Sequence, residues 1–158
     1  MRVNPAEALG SLGKVYRMPG DIAGEVDAVK RAWAIGVFSG ATGEDEVEVK
    51  IISVEDVEKT YEKLELHGSS PQIYAVLSGS VAVPAASELD DKVVEFYEVR
   101  EGEAILVNAK VWHGGAVGID VPAKVVVVLK KGTGEGDTKK MPLSSSVTFT
   151  KCGGGAIR

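Results

Sequence analysis

A chain of 158 residues that is 44% hydrophobic and 26% charged has enough apolar side chains for an ordinary core and too many to stay disordered. Its formal net charge of −5 leaves no general excess of cations to neutralise nucleic-acid phosphates or an anionic membrane, so neither is expected as a partner. The lone Cys152 cannot form an intrachain disulfide, no basic and apolar leader opens the chain, and no apolar run approaches the roughly 20 residues that span a bilayer. A cytoplasmic location is the expectation.

In chain order, residues 1–28 mix apolar positions with Pro5, Gly10, Gly13, Pro19, Gly20 and Gly24, which reads as an irregular arm with one short strand over 14–17. Residues 31–38 read as a buried strand and 39–46 as an acidic, small-residue loop. Val47, Val49 and Ile51 alternate with Glu48, Lys50 and Ile52, the period of a strand with one wet face. Ser53-Val54-Glu55-Asp56 matches a capping box, but the segment after it supports at most one turn. From 60 to 67 the alternation returns. It puts Tyr61, Lys63, Glu65 and His67 on one side and Leu64 and Leu66 on the other, a back face to be covered by another layer or a second subunit.

Residues 72–78 and 80–84 look like paired strands turning at Ser78-Gly79, with further strands over 93–99 and 104–107. Residues 123–130 carry Val125-Val126-Val127-Val128, a run without alternation that suggests a strand buried on both faces. The run 132–137 has glycines but no Gly-Lys-Ser/Thr ending, so it reads as a flexible turn and not as a phosphate loop. A last strand over 145–150 and a flexible tail over 151–158 finish the chain. Many short strands, no internal repeat and no strong helical period predict one all-β domain over 1–158, a sandwich or barrel.

The chemistry concentrates in two stretches. Glu65 and His67 are two residues apart in an extended segment and share a face, and Gln72 with Tyr74 repeats that spacing on the next strand. The only other histidine, His113, ends a later apolar strand. Two imidazoles, a carboxylate and an amide oxygen from His67, His113, Glu65 and Gln72 suit one divalent cation such as Zn, Mn, Fe or Ni. Without metal, Glu65 with His67 or His113 can move protons in general acid–base catalysis. A histidine at a strand end is also a common hydrogen-bonded structural residue, and Tyr74 and Trp112 fit a core as well as a pocket wall. A carboxylate inside a barrel needs a partner, which Lys63, Lys110, a cation or a proton could supply.

The spacings Glu65-x-His67-x4-Gln72-x6-Gly79 and Gly102-x5-Asn108-x-Lys110-x2-His113 resemble the two motifs of the cupin superfamily. Glu65 stands at that family's first histidine, His67 at its second, Gln72 at its glutamate and His113 at its last histidine, while Asn108 and Lys110 replace a usual proline and glycine. Leu64-Glu65-x-His67, Gln72-x-Tyr74 and Val111-Trp112-His113, within 60–131, more closely resemble the ureidoglycolate lyase family. The start of the chain, 8–16, is similar more loosely. The resemblance implies a cupin double-stranded β-helix with the irregular N-terminal arm, assembled as a homodimer. It implies cleavage of ureidoglycolate, a small carboxylate, to glyoxylate and urea in purine and allantoin catabolism. Glu65, His67 and His113 would then be catalytic, Gln72, Tyr74, Lys110, Asn108 and Trp112 would bind substrate, and no organic cofactor is expected. The family's asparagine and histidine before Val-Trp-His are Leu106 and Asn108 here, and its frequent arginine is Leu66. A non-catalytic cupin that binds a small carboxylate or sugar, or another cupin enzyme such as a sugar-phosphate isomerase, is the alternative.

Overall fold

The computed structural model describes residues 3–17, 21–22, 33–34 and 47–150. β1 (Val3–Pro5) leads through a 3-10 segment (Ala6–Leu12) to β2 (Gly13–Arg17), and β3 (Asp21–Ile22) pairs with β4 (Trp33–Ala34) as a separate ribbon. β5 (Val47–Val54), β6 (Lys59–His67), β7 (Gln72–Ser78), β8 (Ser80–Ala86), β9 (Glu95–Arg100) and β10 (Glu103–Val107) follow. β11 (Trp112–His113), β12 (Val117–Gly118), β13 (Ala123–Lys130), a helical turn α1 (Thr133–Gly136) and β14 (Thr138–Phe149) complete the order. The expected strand over 31–38 is described only at Trp33–Ala34, and the expected loop over 39–46 and tail over 151–158 lie outside the described residues.

Two sheets face each other. One has the order β1-β9-β8-β11-β6-β14 with β12 beside β8, and the other β2-β10-β7-β13-β5. Between them Val76, Val81, Val83, Val99, Ile105 and Val125 form the apolar interior, which is the arrangement expected when β-branched strands each bury one face. A second cluster stacks Phe96 against Tyr61 and Phe149, with ring centroids 5.7 and 5.4 Å apart. The N-terminal arm is more ordered than its composition suggested: β1 runs parallel to β9 in one sheet and β2 antiparallel to β10 in the other.

The chain changes sheet where the sequence suggested hairpins. β7 pairs with β10 and β13, whereas β8 pairs with β9, β11 and β12, so 72–78 and 80–84 do not pair with each other. The crossing occurs at Gly79, whose φ of 74° is the left-handed conformation that glycine adopts without a Cβ penalty. β6 and β7 likewise belong to different sheets. In β13, Val125 and Val127 are buried while Val126 and Val128 are half-buried, because a sheet covers only one of its faces. Ser53 and Val54 pair with Lys124 and Ala123 in the ladder of β5 with β13, so sheet pairing overrides the capping box and no helix forms there. Asp90 holds a turn by accepting the Lys92 N–H at 2.9 Å and the Val93 N–H at 3.1 Å, which delays β9 to Glu95.

The run read as a flexible turn is instead a fixed corner. Thr133 is buried and donates its hydroxyl to the Lys130 carbonyl at 2.6 Å. β14 also begins earlier than the sequence suggested, because Thr138 to Pro142 pair with His67 to Lys63 along β6. Its lysines and Pro142 hide that strand from pattern reading, yet an edge strand tolerates them. Leu64 is covered by Leu143 and Ala86 of its own chain, so it offers no back face for a second subunit. The large exposed apolar residues include Val47, Val49 and Ile51 on β5. Among the described residues no helix is long and apolar enough to cross a membrane.

The corner between β6 and β7 is clamped from two sides. Asp137 accepts the Ser69 N–H at 2.8 Å, the Ser69 hydroxyl at 2.7 Å and the Gly68 N–H at 3.2 Å. Buried Ser70 accepts the Lys130 N–H at 2.9 Å and donates to the Pro71 carbonyl at 2.8 Å. The Ser69 and Gly68 donors hold the Asp137 carboxyl below its ordinary range. A carboxyl depressed in the folded state contributes stability above its unfolded pKa, about 3.9, and that contribution is lost as pH falls toward the folded value. Asp137→Ala is therefore expected to lower unfolding free energy by about 1 kcal/mol at neutral pH, the exposed position discounting the charge-assisted bonds. In denaturant titrations the difference from wild type should shrink below about pH 4.

Candidate functional site

β6 and β7 lie in opposite sheets, and the clamped corner aims their side chains at each other. His67 Nε2 is 2.8 Å from Gln72 Oε1, and His113 Nε2 is 3.3 Å from the same oxygen. β11 brings in His113 through pairing with Glu65 on one side and Ala85 on the other. The two imidazoles meet edge to face with centroids 4.9 Å apart. Glu65 Oε1 stands 3.6 Å from His113 Nε2, and Lys140 Nζ is 3.9 Å from Glu65 Oε2. His67, Gln72, Tyr74 and His113 are buried and Glu65 is partly exposed, which places the carboxylate toward the opening.

The protons can be assigned from the partners. Thr138 donates its single hydroxyl proton to the Thr133 carbonyl at 2.7 Å, so at 3.0 Å it accepts from His67 Nδ1–H. His113 Nδ1–H donates to the Val111 carbonyl at 3.0 Å. Both neutral rings therefore turn a bare Nε2 inward, toward an amide oxygen that also carries lone pairs. Such a meeting of acceptors is stable with a cation among them, with an added proton, or with the amide turned so that its NH2 faces the rings. Burial, more than the neighbouring His67, pushes the His113 pKa down, against the raising effects of the Val111 carbonyl and Glu65, so the added proton is disfavoured at neutral pH.

The donor set fits a divalent metal. The ligand atoms of Glu65, His67 and His113 lie within 4.8 Å of one another, close enough to bind one ion. Donors about 2.1 Å from a shared zinc stand roughly 3 to 3.4 Å apart, comparable to the 2.8, 3.3 and 3.6 Å separations found here. Both Nδ1 atoms are tied to outer acceptors, as the second shell of a metal site requires.

A cavity of about 250 Å³ opens over these groups, walled by Glu65, His67, Gln72 and Tyr74 together with Lys50 and Thr138. A second cavity, about 400 Å³, joins it at Glu65, Gly115 and Lys140 and adds Lys59, Tyr61, Lys63 and His113. Tyr74 lines the first, its hydroxyl buried without a hydrogen bond of good geometry; burial, with lesser help from Glu65 and Tyr61 and against the lowering effect of the nearby Gln72 side chain, drives its pKa upward, so it remains a donor.

Three residues expected to bind substrate sit elsewhere. Lys110 is exposed and lines neither cavity; its backbone N–H donates to the His67 carbonyl at 2.7 Å. Asn108 donates its side-chain amide to the Ser11 carbonyl at 3.2 Å, and Trp112 packs on the cluster of Leu64, Ala86 and Leu143. Period 2 already sends Trp112 to the face opposite His113. The sequence reading missed Lys50, Lys59, Lys140 and Thr138. Alternation along 47–52 put Lys50 beside Ile52 and could have flagged it; Thr138 reaches His67 only through the β14 register, which no local pattern marks.

Two facing sheets with the corner histidines and a cavity between them form an all-β barrel, and the fold is of the cupin type. Among solved structures the chain is similar to a sugar 3,4-ketoisomerase from Thermoanaerobacterium thermosaccharolyticum in complex with TDP, at 14% identity and a TM-score of 0.57, covering 82% of this chain and 88% of that one. A 3,4-ketoisomerase from Helicobacter canadensis shares 13% identity at a TM-score of 0.55, over 80% and 89% of the two chains. A TDP-quinovose 3,4-ketoisomerase from Campylobacter jejuni shares 15% at 0.53, over 77% and 86%. No protein-family model matches the sequence, and no curated protein matches it. These likenesses show the fold.

In metal-free protein, 15N NMR of the imidazoles should show both rings protonated on Nδ1. His113 should titrate below the ordinary value of about 6.5, since its burial favours the neutral ring. Thr138→Val should lower affinity for a divalent metal by about 10- to 100-fold, the usual effect of losing an outer partner.

Proposed function

We propose that this chain is an enzyme that isomerises a small sugar by moving protons between a carbonyl carbon and its hydroxyl-bearing neighbour. The observation that carries the reading is Glu65 at the junction of the two cavities, 3.6 Å from His113 in the second and lining the first together with His67 and Tyr74. Such a reaction needs a base for the proton on carbon, a carrier for the hydroxyl proton, and a donor to the oxygen that gains charge. Glu65 takes the carbon-bound proton and returns it to the adjacent carbon. A bare Nε2, of His113 or His67, takes the hydroxyl proton and gives it to the former carbonyl oxygen. Tyr74 donates a hydrogen bond to that oxygen without ionising. A divalent ion held by His67, His113 and the Gln72 oxygen would occupy both Nε2 lone pairs, so when bound it would take the place of the imidazole proton carrier by polarising the carbonyl, with Glu65 still serving as the base. The sugar 3,4-ketoisomerases among the fold neighbours favour a sugar as substrate.

The ureidoglycolate lyase reading uses the same Glu65 and imidazoles, but its carboxylate clamp at Lys110 lies outside the cavities. The homodimer belongs to the proposal as well, and light scattering at micromolar concentration decides it. For activity, a panel of keto sugars and sugar phosphates, including the TDP-4-keto-6-deoxyglucose bound in one fold neighbour, is incubated in D2O with and without Mn, Zn, Fe or Ni. Solvent deuterium should appear on carbon by NMR, and Glu65→Gln and His113→Ala should each slow it by about 10² or more. Glyoxylate from racemic ureidoglycolate without any sugar exchange would replace this reading with the lyase. Tight binding of a sugar or small acid with neither reaction would replace it with a binding module. Elemental analysis should find one divalent metal per chain in wild type and none in His67→Ala.

A further inference from the structure

The second cavity is cationic in a chain of net negative charge. Lys59, Lys63 and Lys140 line it, and Glu65 is the carboxylate they face, so three ammonium groups and one carboxylate leave an excess of two positive charges. One of these cations is held there at a cost. Lys59 is half-buried, and burial lowers its pKa against the raising effect of Glu65. Its ammonium lies 4.9 Å from the Tyr61 ring centroid and 3.5 Å from the Gly115 carbonyl, weak partners for a desolvated charge. Tyr61 itself is fixed by donating to the same carbonyl at 2.6 Å, so the wall that carries Lys59 is rigid. The cavity joins the reacting groups at Glu65, Gly115 and Lys140, and a ligand that fills both has two parts.

We propose that the second cavity is a subsite for a phosphate dianion on the substrate, bound by Lys59, Lys63 and Lys140, while the reacting end of the same molecule enters the first cavity. An excess of two charges matches a phosphate monoester or the near end of a diphosphate better than a single carboxylate, and the three oxygens on one phosphorus present that charge to three ammonium groups at once, which two separated carboxylates do not. Ammonium groups suit it as point charges that need no bidentate geometry. Glu65 is then shared: it carries protons at one end and moderates the cationic field at the other. The proposal rests on the reading that substrate occupies the first cavity, but its test does not use turnover.

Isothermal titration of the full chain with inorganic pyrophosphate, inorganic phosphate and malonate at low ionic strength separates the possibilities. Pyrophosphate and phosphate should bind one per chain, more tightly than malonate, and weaken steeply as salt is raised. Lys59→Met and Lys140→Met should each weaken pyrophosphate about tenfold, as expected for loss of one charge-assisted contact. Lys124→Met, on an exposed position of β13, should leave it unchanged. Glu65→Gln should strengthen it severalfold by removing the opposing carboxylate. Melting curves confirm that each variant is folded, and Lys63→Met, at an exposed position, supplies the same comparison if Lys59→Met does not fold. No phosphate binding, malonate bound as tightly, or affinity indifferent to all three lysines would overturn the subsite, whatever the exchange assay shows. Pyrophosphate binding in a protein that exchanges no sugar proton would leave the subsite standing and remove the isomerase.

Discussion

The contact between His67 and Gln72, 2.8 Å across the corner of the barrel, is the constraint on which the site depends. These residues lie five apart in sequence but in different sheets, so no strand ladder holds them in register. The corner does. Asp137 grips Gly68 and Ser69, Ser70 grips Lys130, and the Lys110 N–H grips the His67 carbonyl. Each grip comes from a segment distant in sequence, so the site forms only once both sheets have met. Contacts of such separation are late and slow to form. The same distribution of supports makes the assembled site rigid, which acid–base geometry requires.

Polarity inside the barrel is arranged in layers. Deepest are the two imidazoles, each tied outward through its Nδ1, to Thr138 and to the Val111 carbonyl. Next comes Glu65, partly exposed and near Lys140, with a solvated route that spares it the full cost of burying a charge. Outermost are the lysines, among which Lys50 is paired with Glu48. The gradient from neutral acceptors to carboxylate to ammonium runs from the closed end of the cavity to its mouth. An anionic, oxygen-rich ligand meets attraction at the mouth and proton acceptors at the bottom.

How much of this was legible follows from which distances the sequence encodes. Period 2 encodes the faces of one strand, and so Glu65 and His67 could be placed together and β5 drawn over 47–52, two residues short of its end. It does not encode which sheet a strand joins. The breaks at Gly68 and at Gly79 look alike as turns, and both prove to be crossings between sheets. Nor does it encode partners: Val125 to Val128 looked buried on both faces because four valines carry no polar mark, whereas only the face toward the opposite sheet is covered. Thr138, the outer partner of His67, was invisible for a similar reason. Its role depends on the register of a lysine-rich edge strand that hydrophobic patterning cannot detect.

The departures of the second motif sort by where their side chains lie. Asn108 and Lys110 stand where the cupin pattern has proline and glycine, and both prove to be turn residues: Asn108 ties to Ser11 and Leu12, and Lys110 adopts φ 65° while its N–H meets the His67 carbonyl. A left-handed conformation explains why glycine suits that position, and a lysine there carries a conformational cost of roughly 1 kcal/mol. That cost buys no side-chain contact in either cavity. The backbone bond is what the position supplies, since it fixes the end of β6 at the residue whose Nε2 must reach Gln72. Gln72 is a departure of the other kind. It lies inside, and as an amide in place of a carboxylate it leaves the two imidazoles facing a neutral group, so the negative charge available to a bound cation comes from Glu65 at the position where the pattern has a histidine. The exchange keeps one carboxylate and two of the pattern's three imidazoles but moves the carboxylate from the buried floor, where Gln72 sits, to the partly exposed wall beside Lys140. A carboxylate on that wall lines both cavities, whereas the position of Gln72 lines only the first.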